Sequence, residues 1–87
     1  MKMIILMVKD QLTETLTAAL TGAQYRVTRI ASTGGFLRSG TSTMLIGVEE
    51  PQLDEAIALI RSAAGVTPAD GPQVTLFVVP VSRFEQI

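Results

Sequence analysis

Eighty-seven residues, 47% of them hydrophobic, with 7 Lys+Arg against 8 Asp+Glu, describe one small domain over residues 1–87 with a single core. There is no His and no Cys, which removes the usual ligands of zinc and iron–sulfur sites, a thiol nucleophile and the commonest general base. A formal net charge of -1 argues against a generic nucleic-acid binder, which needs a strong positive field, but is compatible with one anionic small molecule.

Residues 2–9 (KMIILMVK) form a continuous apolar run that reads as a strand buried on both faces. Its apolar part, 3–8, is too short for a signal-peptide core or a membrane span, so no membrane role and a cytoplasmic location are expected. Asp10 then offers an N-cap. Leu12, Leu16, Ala19 and Leu20 recur at helical spacing, and Gly22 supplies a stop, which predicts a helix over 11–21. The opposite face is Thr13, Glu14, Thr15 and Thr17, mediocre helix formers that leave the helix dependent on packing.

Residues 25–33 (YRVTRIAST) and 42–48 (STMLIGV) alternate and carry β-branched and aromatic side chains, predicting a hairpin with a long Gly-rich tip. Glu49, Glu50 and Pro51 suit a first helical turn. Leu53, Ala56, Ile57, Ile60 and Ala64 then make an apolar stripe ending at Gly65, so a second helix covers about 51–64. The acids Glu49, Glu50, Asp54 and Glu55 read as solvated helix termini rather than as ligands for a hard cation, and no metal is expected. Residues 66–73 hold Pro68, Gly71 and Pro72 and break regular structure; 74–81 (VTLFVVPV) is again an apolar strand.

The order β-α-β-β-α-β predicts an α+β, ferredoxin-like fold: a four-stranded antiparallel sheet with both helices on one face, strands one and three central. Two helices roof only one face. Yet in strand one Ile4, Leu6 and Val8 oppose Met3, Ile5 and Met7, and in strand four Leu76 and Val78 oppose Phe77, Val79 and Val81. Whichever set meets the helices, a large apolar set remains, and burying it is worth on the order of 10 kcal/mol per chain. The tail 82–87 is too short and too charged to cover all of it, so self-association is expected, with a three-fold arrangement of inward-packed sheets plausible beside a two-fold one.

Residues 33–43 (TGGFLRSGTST) are the least ordinary stretch. A hairpin tip needs few residues, and this one sets Phe36 and Leu37 among glycines. Glycines permit close approach of backbone N–H groups, the hydroxyls of Thr33, Ser39, Thr41, Ser42 and Thr43 can donate, and Arg38 adds charge, which suits an anionic ligand. Phe36 offers a face on which a base can stack. Neither the Gly-Lys-Ser/Thr ending nor GxGxxG spacing is present. A loop that packs against a neighbouring subunit is the competing reading. Arg26 and Arg29 lie on the strand leading in, where Arg26, Thr28 and Ile30 alternate onto one face and guanidinium groups can grip phosphates.

At TGGFLRSGTSTMLIG (33–47), with KMIILMVKDQ at the start and TLFVVPVSRFEQI at the end, the chain resembles the PII-like cyclic-di-AMP receptor family of the PstA or DarA type. The resemblance covers nearly the whole length. It implies a homotrimeric, non-catalytic cytoplasmic signalling protein that binds the dinucleotide in clefts between subunits and uses no cofactor. Carried over position by position, it implies that Arg26 and Thr28 approach the ligand, that Gly35, Phe36 and Leu37 line a base pocket, and that Gly47 permits close backbone approach. It also implies that Phe77 and Gln86 lie near the ligand. Gln24 and Thr41 stand where the family tends to have Asn, and the connector 66–73 replaces a long loop.

Two functions are therefore in competition: a nucleotide sensor binding cyclic-di-AMP or a related adenine nucleotide, and a trimeric scaffold meeting a protein partner through loop 33–41. An enzyme lacks a recognisable nucleophile–base pair, and RNA binding in the manner of an RRM lacks an aromatic platform on the third strand.

Overall fold

The computed structural model describes residues 1–32, 40–65 and 72–87. The elements are β1 (Lys2–Lys9), α1 (Asp10–Gly22), β2 (Arg26–Ser32), β3 (Thr41–Val48), a 3₁₀ turn at Glu50–Gln52, α2 (Leu53–Ala64) and β4 (Val74–Pro80). The strands lie in the order β2-β3-β1-β4, every neighbouring pair antiparallel. This is the α+β arrangement the element order predicts, with the first and third strands, β1 and β3, at its centre.

Alternation decides what each face carries. Ile4, Leu6 and Val8 of β1 and Met44, Ile46 and Val48 of β3 point to the helices and pack with Leu16, Leu20, Ala56 and Ile60 in one buried cluster. Leu53, Ile57 and Leu59 of α2 and Val74 and Leu76 of β4 close its margins. Thr13 is buried rather than solvated, because its hydroxyl donates back to the Lys9 carbonyl at 3.4 Å and so reaches the core with its polar group satisfied. Thr17 donates to the Met44 sulfur at 3.4 Å. The threonine face of α1 thus turns partly inward, which apolar spacing alone does not reveal.

Two helix boundaries differ from the sequence pattern. Asp10 is the first helical residue rather than the cap, and its carboxylate accepts from the Ser42 hydroxyl at 2.9 Å instead of from its own helix. At the other end Gly22 is ordinary helix, and the left-handed residue is Gln24, at φ 71. There the N–H of Gln24 donates to Thr21 and that of Tyr25 to Leu20, the paired bonds of a Schellman turn. Tyr25 and Leu20 both enter the core, so the turn is set by burying an aromatic residue rather than by a glycine.

The first turn of the helix expected over 51–64 is 3₁₀, and it leads directly into α2. Gln52 Oε1 accepts from the Glu49 N–H at 3.1 Å, and Pro51 suits this turn since it needs no N–H donor. Glu49 faces the amino terminus of Met1 and Glu50 faces Lys2, each at 3.8 Å. These acids therefore neutralise the start of β1. On β2 the register shifts between Arg29 and Ala31, so Ile30 is an inserted residue and the alternation that sets Arg26 and Thr28 on one face is interrupted there.

Candidate functional site

The face of the sheet away from the helices is built in cross-strand rows. Arg26, Gly47, Met3 and Val79 make one row, and Thr28, Leu45, Ile5 and Phe77 the next. A β-sheet sets side chains in such a row about 4.8 Å apart, so each row runs from a polar residue on β2 to an apolar one on β4. Gly47 leaves a gap in the first row: a Cβ built there would come 3.2 Å from the Met1 Cε.

Above that gap lies a cavity of about 460 Å³, within the usual range for small-molecule sites. Its floor is Met3, Arg26, Thr28, Leu45 and Gly47 from β1, β2 and β3. Its wall is Met1 together with the tail that follows β4, which contributes Val81, Arg83, Phe84 and Gln86. The Val81 N–H donates to the Met1 carbonyl at 3.1 Å, and this bond starts the tail on its course across the sheet. The lining is mostly apolar, with two guanidinium groups, a threonine hydroxyl and a carboxamide. No acidic side chain is among the described residues that line it.

Four sequence-predicted residues therefore meet in one place: Arg26, Thr28, Gly47 and Gln86. Arg26 has no carboxylate partner among the described residues, whereas Lys2, Arg29 and Arg83 each face one. Arg29, one residue out of phase with Thr28, turns to the helix side and lies 3.8 Å from Glu14 of α1. Its use as a phosphate ligand at this cavity is therefore not supported by its position.

Other predicted residues lie elsewhere. Gln24 sits in the turn after α1, serving backbone geometry. Thr41 pairs with Lys9 at the opposite end of β3 from Gly47, about 20 Å away along the strand. Phe77 shares its row with Thr28 but at the other edge, roughly 14 Å across three strand spacings, and is 53% exposed. Gly35, Phe36 and Leu37 lie outside the described residues, as does most of the connector 66–73.

Sequence reasoning missed Met1, Met3, Leu45, Val81, Arg83 and Phe84. Met3 and Leu45 follow once Gly47 and Thr28 are known to be their cross-strand partners. Arg83 and Phe84 carry no such signal, because the tail has no period.

Among families of known proteins, the one described as cyclic-di-AMP receptor matches residues 1–67. The chain belongs to the cyclic-di-AMP receptor family. Among solved structures, a functionally unknown protein from Pediococcus pentosaceus ATCC 25745 is similar at 32% identity and a TM-score of 0.78. The alignment covers 99% of this chain and 96% of that one. In this receptor-family chain the matched span carries the floor of the cavity, while the tail that walls it lies beyond residue 67.

No helix among the described residues is long and apolar enough to cross a membrane, and no cluster of three or more acids among them is arranged to hold a metal ion.

Proposed function

We propose that the protein is a non-enzymatic cytoplasmic sensor that binds cyclic-di-AMP or a related adenine nucleotide at the interfaces of a homotrimer. The observation that carries the reading is the convergence of Arg26, Thr28, Gly47 and Gln86 on one cavity, from three separate elements. A guanidinium with no carboxylate partner among the described residues suits a phosphate, Met3, Leu45 and Phe84 suit a base, and the missing side chain at Gly47 lets the ligand approach the sheet.

The open face supports the assembly. Met3, Ile5, Leu45 and Val79 occupy it, with Met7 and Phe77 at 40% and 53% exposure. The tail crosses only the end of the face near Gly47. A second copy would cover the remainder and bring its own edge toward the cavity, which gives Phe77 a route to the ligand that it lacks within one chain.

Calorimetry with cyclic-di-AMP, ATP and AMP tests the binding. Heat with the cyclic dinucleotide and little with AMP is expected; no heat and no thermal shift with any of them refutes the reading. Light scattering at micromolar protein tests the assembly, and a clean monomer would rule out the trimer.

A further inference from the structure

We infer that Arg83 of the tail is a ligand-contacting residue, forming with Arg26 a pair of guanidinium groups that grip the nucleotide's phosphates, with Glu85 as the internal carboxylate that the phosphate displaces. The inference rests on the nucleotide reading above and assigns a role to a residue beyond the family-matched span 1–67.

Arg26 and Arg83 line the same cavity although 57 positions separate them in the chain, one from edge strand β2 and one from the tail after β4 on the opposite edge. Two cations converge on an enclosure that has no acidic lining among the described residues. Two like charges on one cavity favour a counter-charge close by when no ligand is bound. Glu85 supplies it: its carboxylate pairs with the Arg83 Nε.

That pair is a weak hold. The two side chains are 80% and 50% exposed, and exposed ion pairs contribute little because water screens them and both side chains lose freedom. A phosphate placed between two guanidinium forks makes charge-assisted, bidentate contacts that a single carboxylate on the same tail cannot match. Exchange of Glu85 for phosphate therefore runs in the ligand's favour. Phe84, between the two in sequence and on the same cavity, offers an aromatic surface to the base of the ligand whose phosphate Arg83 holds.

Calorimetric titration of cyclic-di-AMP into wild type, Arg83→Ala, Arg83→Lys and Glu85→Gln tests this. Arg83→Ala is expected to weaken binding by about tenfold or more, and Arg83→Lys to fall between it and wild type because charge is kept and the fork is lost. Glu85→Gln is expected to tighten binding by a few-fold, a change that a merely structural tail would not produce. Both side chains are exposed, so thermal melts of the variants should match wild type and serve as the fold control. Wild-type binding with Arg83→Ala unchanged overturns the inference alone. Glu85→Gln unchanged or weaker overturns the displacement by phosphate. Silence of the wild type overturns it together with the nucleotide reading.

Discussion

The Ser42 hydroxyl donates to Asp10 Oδ1 at 2.9 Å, while the Asp10 N–H donates to the Gly40 carbonyl at 2.7 Å. These two bonds tie the first turn of α1 to the entry of β3. Gly40 has φ +59, and a Cβ built on it would lie 2.5 Å from Asp10 Oδ2. Gly40→Ala is therefore expected to destabilise the fold by about 1–3 kcal/mol in urea unfolding, from left-handed strain plus the clash. In an Asp10→Ala background only the strain should remain, so a double-mutant cycle should give a smaller cost for Gly40→Ala there. Equal costs in the two backgrounds would show that the carboxylate does not press on Gly40.

The Tyr25 hydroxyl donates to Glu55 Oε1 at 2.8 Å and joins the end of α1 to α2. That hydrogen bond, then burial, then the negative charge of Glu55 hold the phenol above its ordinary value of 10.0. The folded state thus keeps its proton more tightly than the unfolded chain. The resulting stability is complete below pH 10 and is lost as pH rises through the folded value. Tyr25→Phe is expected to cost about 1 kcal/mol at pH 7 and to lose less stability than wild type above pH 10, the two converging as the wild-type phenol ionises. Parallel pH profiles for the two proteins would contradict the coupling to Glu55.

The strands and their order were readable because β1 and β4 carry nearly continuous apolar runs, β2 and β3 alternate with β-branched residues, and the order β-α-β-β-α-β has few compact solutions. The two opposed sets on β1 also foretold that a large apolar set faces away from the helices, though not which; the structure buries Ile4, Leu6 and Val8 and leaves Met3, Ile5 and Met7 on the other face. Where side chains do something other than bury carbon, the pattern misled. Thr13 is in the core with its hydroxyl bonded to the Lys9 carbonyl at the end of β1, Asp10 binds across to β3, and a Schellman turn bypasses Gly22 for Gln24. Of the site, alternation made legible that Arg26 and Thr28 share a face, while the ligand role of Thr28, Gly47 and Gln86 came from the resemblance alone. Arg83 and Phe84 were not legible, since they lie in a tail without periodicity that follows the Val81–Met1 backbone bond across the sheet.

Gln24 adopts φ 71, a conformation that costs a residue with a Cβ about 1 kcal/mol and that Gly, and to a lesser degree Asn, accept readily. Gln24→Gly is expected to stabilise the protein by roughly 0.5–1 kcal/mol in chemical denaturation, with Gln24→Asn giving a smaller gain. If Gln24 also binds the ligand through its carboxamide, Gln24→Gly should weaken the nucleotide while raising the melting temperature. A gain in stability with affinity unchanged would confine Gln24 to the turn.

Gly47 separates stability from binding most sharply. It faces the cavity from near the C-terminal end of β3, on the side of the sheet away from the helices, so a side chain there points at the ligand rather than into the core. Among the described residues a new Cβ would meet the flexible end of Met1, at 3.2 Å, which can move aside cheaply. A β-branched residue also suits a strand better than glycine does. Gly47→Val is therefore expected to leave stability within about 1 kcal/mol of wild type, or to raise it, while lowering nucleotide affinity by more than tenfold in calorimetry. Retained affinity in a stably folded Gly47→Val would mean that the ligand does not approach the sheet at this row, and the cavity above Arg26 would no longer be the site.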